Sequence, residues 1–132
     1  AQATANALDF LNNDEEGFFL MVEGSQIDWG GHNNDAEYLI EEVKDFDKTL
    51  GVALDFAEKN PGTLIVVTAD HETGGFTLAR NEGDYNDIKP SFSTGGHSAS
   101  LIPVFSFGTG SEKFGGTYKN IDIHEKILEL VK

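Results

Sequence analysis

The residues best suited to chemistry lie in Val66-Val67-Thr68-Ala69-Asp70-His71-Glu72-Thr73-Gly74-Gly75. An apolar strand stops at adjacent Asp and His, and a glycine pair follows. The same grammar occurs upstream. Phe18-Phe19-Leu20-Met21-Val22-Glu23 runs into Gly24-Ser25-Gln26-Ile27-Asp28-Trp29-Gly30-Gly31-His32. Two strands would thus deliver Glu23, Asp28, His32, Asp70 and His71 to one sheet edge. Carboxylates and imidazoles are the donors that hard and borderline divalent metals take.

Neighbouring strand residues point to opposite faces. Asp70 and His71 can therefore share an ion only where the chain leaves the sheet, and Gly74-Gly75 supply a turn there. The carboxyl end of a parallel strand is also where α/β proteins place their sites. The plainer alternative is a helix N-cap Asp beside a surface His. Asp28 and His32 share a face if their segment is helical, although Gly30 and Gly31 permit a tight loop instead. Glu23 ends a strand of buried character, where a carboxylate needs a cation, a hydrogen bond or a salt bridge. His97 stands in Thr94-Gly95-Gly96-His97-Ser98. Beside Asp28 and His32 it would complete the three protein ligands of a catalytic zinc. His124 reads as a structural or exposed residue of the last helix.

Other chemistries fit poorly. Ser25 lacks the second glycine of a Gly-x-Ser-x-Gly elbow. Gly108-Thr109-Gly110 lacks both the third glycine of a dinucleotide loop and the Gly-Lys-Ser/Thr of a phosphate loop. Ser98 is adjacent to His97, where the two side chains cannot line up as nucleophile and base.

The elements that must position these residues follow from periodicity. Residues 3 to 13 read as a helix end broken by Asn12-Asn13-Asp14, and residues 18 to 23 as a buried strand. Between Asn34 and Asn60, Ala36, Leu39, Ile40, Val43, Leu50, Leu54 and Ala57 recur at helical steps. Asn33, Asn34 and Asp35 are N-cap candidates, and Asn60-Pro61-Gly62 is the stop. Residues 63 to 69 read as a second buried strand, parallel to the first through a βαβ crossover. Phe76 to Ala79 suits a short strand, and residues 80 to 97 a long polar loop. A third strand is expected over 101 to 107 and a closing helix over 120 to 132. The expected class is α/β, a mostly parallel sheet flanked by helices, with residues 1 to 132 in one domain.

The net charge of −14 opposes binding to nucleic acid or to an anionic membrane surface. The absence of cysteine excludes disulfides and thiolate metal sites. No run reaches the roughly 18 apolar residues of a membrane span, and no signal peptide is visible.

The order Val22-Glu23-Gly24, Ile27-Asp28, His32, then Thr68-Ala69-Asp70-His71, then Gly96-His97 resembles the C-terminal part of bacterial and animal alkaline phosphatases. The resemblance implies a three-layer α/β/α fold and phosphomonoester hydrolysis through a phosphoserine intermediate. It implies two zinc ions and one magnesium ion per site. Asp28, His32 and His97 would hold the first zinc, Asp70 and His71 the second, and Glu23 the magnesium. Trp29 stands where many relatives carry Lys or His. The nucleophilic serine and the phosphate-gripping arginine would lie upstream, since Arg80 does not occupy the matching position. The chain is therefore expected to be the C-terminal portion of a longer enzyme, inactive alone. That enzyme would be a periplasmic or secreted homodimer acting on small phosphate monoesters. Glu72 and Thr73 are candidates to orient the imidazoles. The alternatives are a non-catalytic metal-binding or interaction module of the same fold, and a phosphomutase or sulfatase relative.

Overall fold

The computed structural model describes residues 1–131. Its first helix, α1 (Gln2–Leu11), buries Thr4 and Leu8. Asn12 N–H closes the last turn on Leu8 O at 2.9 Å, and the Asn13 amide donates to Asp9 O. These bonds satisfy carbonyls that a helix end leaves open. A short helix α2 (Gln26–His32) is followed by the long α3 (Ala36–Lys59). Of the three N-cap candidates, Asp35 does the capping: its carboxylate accepts from Tyr38 N–H at 3.0 Å. At the other end the Asn60 amide donates to Phe56 O at 2.8 Å, and Gly62 turns the chain at φ 102°.

The strands form three two-stranded antiparallel ladders. In the first, β1 (Leu64–Val67) pairs with β6 (Phe105–Gly108), Leu64 opposite Gly108 and Val67 opposite Phe105. Leu50 and Leu54 of α3 lie over this ladder with Ile65, Val67, Phe105 and Phe107. In the second, β2 (Glu72–Thr73) pairs with β5 (His97–Ser98). The third is a hairpin of β3 (Thr77–Asn81) and β4 (Asp84–Ser91). A 3-10 turn (Ser111–Phe114) and α4 (Asp122–Leu128) are the last elements among the described residues.

Three expectations need adjustment. Residues 18 to 23 join no ladder, so the parallel partnership with β1 is not formed among the described residues; β1 pairs antiparallel with β6 instead. A strand needs a hydrogen-bonded neighbour, and an apolar run does not specify which one. Residues 80 to 91 are not loop but hairpin. Glu82 and Gly83 sit at φ 43° and 92°, the two positive dihedrals that a two-residue type I′ turn requires. The last helix is shorter than expected, and its anticipated end at Lys132 lies outside the described residues.

The buried hydrophobic residues are Leu8, Leu39, Ala57 and Phe114. Phe10, Met21 and Leu101 remain 79%, 78% and 86% exposed. So many bare apolar side chains mark surfaces suited to further contacts.

Candidate metal centre

The spacing of Asp28 and His32 resolves as helical. Both project from one face of α2, with Asp28 Oδ2 3.5 Å from His32 Nε2. Gly30 and Gly31 are poor helix formers, yet close packing demands them. A Cβ on Gly30 would meet the Leu39 backbone of α3 at 2.9 Å, and one on Gly31 would meet Thr73 O at 2.9 Å. The two glycines thus seat α2 between α3 and β2.

The chain leaves β1 at Thr68, turns through Asp70 and His71, and enters β2. Register then sets the faces. Thr73 pairs with His97 and Glu72 with Ser98, so Thr73 and His97 share one side of the ladder and Glu72 and Ser98 the other. His97 stacks on His71 with ring centroids 3.5 Å apart, and its Nε2 lies 3.2 Å from His32 Nε2 and 3.9 Å from Asp28 Oδ1. Ligand atoms of Asp28, His71 and His97 all fall within 4.8 Å of one another. The structure therefore brings Asp28, His32, His71 and His97 into one cluster. Asp70 joins it through His71, Oδ2 to Nε2 at 3.2 Å, with its side chain 83% exposed. Glu23 is exposed and forms no hydrogen bond or ion pair with the other residues of the cluster among the described residues.

The hydrogen bonds around the rings decide what they offer. His32 Nδ1 lies 2.9 Å from Gly95 O. A carbonyl only accepts, so Nδ1 carries the proton and Nε2 presents its lone pair to the cluster. The Thr73 hydroxyl bonds Asp28 Oδ1 and lies 3.2 Å from His71 Nδ1. Gly95 O is a partner that no side chain in the sequence announces. Asn34, with its amide oriented to suit its surroundings, donates to Gly31 O at 3.0 Å and Thr94 O at 2.8 Å, tying the end of α2 to the His97 loop.

Two further devices hold this loop. Gly74 N–H donates to Gly96 O at 2.9 Å, while Gly74 O accepts from Ser93 and Thr94. Gly74 has φ 88°, and a Cβ there would lie 2.8 Å from Gly31 O and 2.8 Å from the Phe92 ring. Gly74→Ala is expected to destabilise the protein by about 1–3 kcal/mol, through backbone strain and the displacement of α2, as read by denaturant unfolding.

On the far side of the ladder, Glu72 accepts from the Ser98 hydroxyl, from Gly75 N–H at 3.1 Å and from Phe76 N–H at 3.0 Å. The Ser98 bond, foremost, and these amides hold the Glu72 carboxyl below its usual value of 4.5. The ionised form is the one the fold favours. Its contribution is thus present above pH 4.5 and is lost as pH falls through the lower folded-state value. Glu72→Gln is expected to flatten the acid limb of a stability–pH profile measured by urea unfolding.

Comparison with known proteins bears on what this cluster is. The family model described as alkaline phosphatase matches residues 1–89. The chain belongs to the alkaline phosphatase family. It is 54% identical over 78 residues to alkaline phosphatase 4 of Bacillus subtilis, covering 59% of this chain and 17% of that protein. The solved alkaline phosphatase of the Antarctic bacterium TAB5 superposes with a TM-score of 0.94 at 58% identity, covering 98% of this chain and 39% of that one. A TAB5 variant solved with Mg bound in its M3 site matches at a TM-score of 0.92 and 56% identity, over 98% of this chain and 40% of that one. The chain thus spans less than half the length of these relatives. The match establishes an α/β fold, and the spacing of Asp28, His71 and His97 is one that could hold a metal ion. No helix among the described residues is long and apolar enough to cross a membrane.

Proposed function

We propose that this chain is the metal-ligating C-terminal part of a zinc- and magnesium-dependent phosphomonoester hydrolase. The observation that carries the reading is the convergence of Asp28, His32 and His97: His32 Nε2 lies 3.5 Å from Asp28 Oδ2 and 3.2 Å from His97 Nε2, which lies 3.9 Å from Asp28 Oδ1. Zinc bonds of 2.0–2.1 Å in a tetrahedron separate the donors by about 3.3 Å. The donor set and its spacing therefore fit a zinc ion with little rearrangement. Asp28, His32 and His97 hold the first zinc, Asp70 and His71 the second, and Glu23 the magnesium. Asp70 and His71 supply two donors and Glu23 one, fewer than zinc or magnesium takes. The remaining donors come from water, substrate and a longer polypeptide.

When bound, a pair of such cations stabilises the attacking and leaving oxygens of an in-line phosphoryl displacement. The work of this chain is positional. The backbone carbonyl of Gly95 and the Thr73 hydroxyl orient rings and carboxylate, and the Gly74 turn keeps α2 against β2. The nucleophilic serine and the phosphate-binding arginine belong to the longer polypeptide, an assignment supported by the relatives' extra length and by the bare Phe10, Met21 and Leu101. In the same reading, residues 18 to 23 and β1 join a mostly parallel sheet completed by that polypeptide. The enzyme is an exported homodimer acting on small phosphate monoesters.

The test is expression of the full-length polypeptide and assay of phosphate release from a simple monoester. Hydrolysis that depends on added zinc and magnesium is the expected result. A fully metallated enzyme that releases no phosphate would leave only a metal-binding module.

A further inference from the structure

The Thr73 hydroxyl has one proton to give. The Asp28 carboxylate can only accept, so that proton lies on the bond to Oδ1. Thr73 Oγ1 must then accept from its other neighbour, His71 Nδ1 at 3.2 Å, which therefore carries a proton. His71 Nε2 then faces the cluster, 3.2 Å from Asp70 Oδ2, where a bound cation would take its lone pair. The Thr73 side chain has little freedom to do otherwise. Its β-branch restricts χ1, and its Cγ2 packs against Gly31, where a Cβ would come within 3.0 Å. The β2–β5 register holds it on the same face as His97.

Resting on the metal assignment above, we propose that Thr73 is a positioning residue that joins the two zinc positions. One hydroxyl fixes the carboxylate plane of Asp28, a ligand of the first, and the ring tautomer of His71, a ligand of the second. Displacement of either group is transmitted to the other through a single oxygen. The sequence offers Thr73 as a candidate to orient an imidazole, but it does not show one hydroxyl serving two ligands. The shared oxygen exists because Gly31 lets α2 approach β2 closely.

The proposal is tested in the enzyme at its full natural length. Thr73→Val keeps the shape and removes the hydroxyl, whereas Thr73→Ser keeps the hydroxyl. Zinc binding is followed stepwise by competition with a chromophoric chelator, and the His71 ring by 15N and 1H NMR of the zinc-loaded protein. The expected result is a weakening of both zinc steps by about 10–100-fold in Thr73→Val, with recovery to within a few-fold in Thr73→Ser. In the zinc-loaded wild type the His71 Nδ1 proton, held by Thr73 Oγ1, should exchange slowly with water, and this protection should be lost in Thr73→Val. Wild-type affinity at both steps in Thr73→Val, or a loss confined to one step, overturns the proposal and leaves the phosphatase reading intact. A fast-exchanging His71 Nδ1 proton in the zinc-loaded wild type overturns it even if the valine variant does not fold. A wild-type enzyme that binds no zinc overturns the phosphatase reading, and the proposal with it.

Discussion

Replacing His97 by alanine in the full-length enzyme is expected to remove one zinc per active site and to abolish most phosphatase activity. His97 touches every neighbour that matters: its Nε2 lies 3.2 Å from His32 Nε2 and 3.9 Å from Asp28 Oδ1, and its ring stacks on His71 at 3.5 Å. In the proposed ligand set its loss leaves Asp28 and His32 as a two-donor site, one short of the three protein ligands a catalytic zinc takes. The ring's loss also unsupports His71 at the second position. Losing an outer partner of a ligand costs about 10–100-fold in affinity or activity, and loss of the ligand itself should exceed that. Elemental analysis of the purified variant, alongside phosphate release, checks the point. His124→Ala is the control, because His124 is exposed on α4, and it should keep full metal content. Full zinc in His97→Ala would remove His97 from the ligand set.

Stripping the metals by chelation is expected to lower stability sharply and to loosen the site before the rest of the protein. The parts that carry the donors are lightly held. β2 and β5 pair over two residues each, and the turns at 70–71 and 93–96 depend on a handful of backbone bonds. The cluster also gathers the Asp28 and Asp70 carboxylates within a chain of net charge −14. A cation bound only by the folded state stabilises it by about 4 kcal/mol when free metal exceeds the dissociation constant a thousandfold. Chelation should therefore lower the melting temperature, and amide exchange should quicken first in residues 70–76 and 93–98. Acid should act alike, because ligation needs neutral imidazole and protons compete with the metal. Zinc content should fall progressively as pH drops from about 7 to about 4. Unchanged melting after complete demetallation, or full occupancy at the acid end, would contradict the assignment.

Local chemistry was readable where local forces set it. The apolar steps from Ala36 to Ala57 announced α3, and Asn60-Pro61-Gly62 announced its end, because a helix is satisfied by its own backbone. The Val-Ile-Thr run announced β1. The hairpin of β3 and β4 is hard to read from sequence because its turn is Glu82-Gly83 rather than Asn-Gly or Asp-Gly, and glutamate at positive φ is an uncommon choice. Residues 18 to 23 carry the apolar pattern of a strand, but pairing depends on a neighbour that the pattern does not name.

The sequence by itself determined the donor types and the family resemblance, and it left the Asp28–His32 segment open between a helix and a tight loop, which the structure resolves as α2. The tertiary structure decided their company. His71 meets His97 because two short strands pair in one register, and a slip of one residue would turn His97 to the opposite face. The proton on His32 is set by a backbone carbonyl at Gly95, which every residue possesses and no sequence pattern can mark. Spacing along a chain constrains only near neighbours, whereas a metal centre is assembled across turns by packing distances, here the glycine contacts of α2 with α3 and β2.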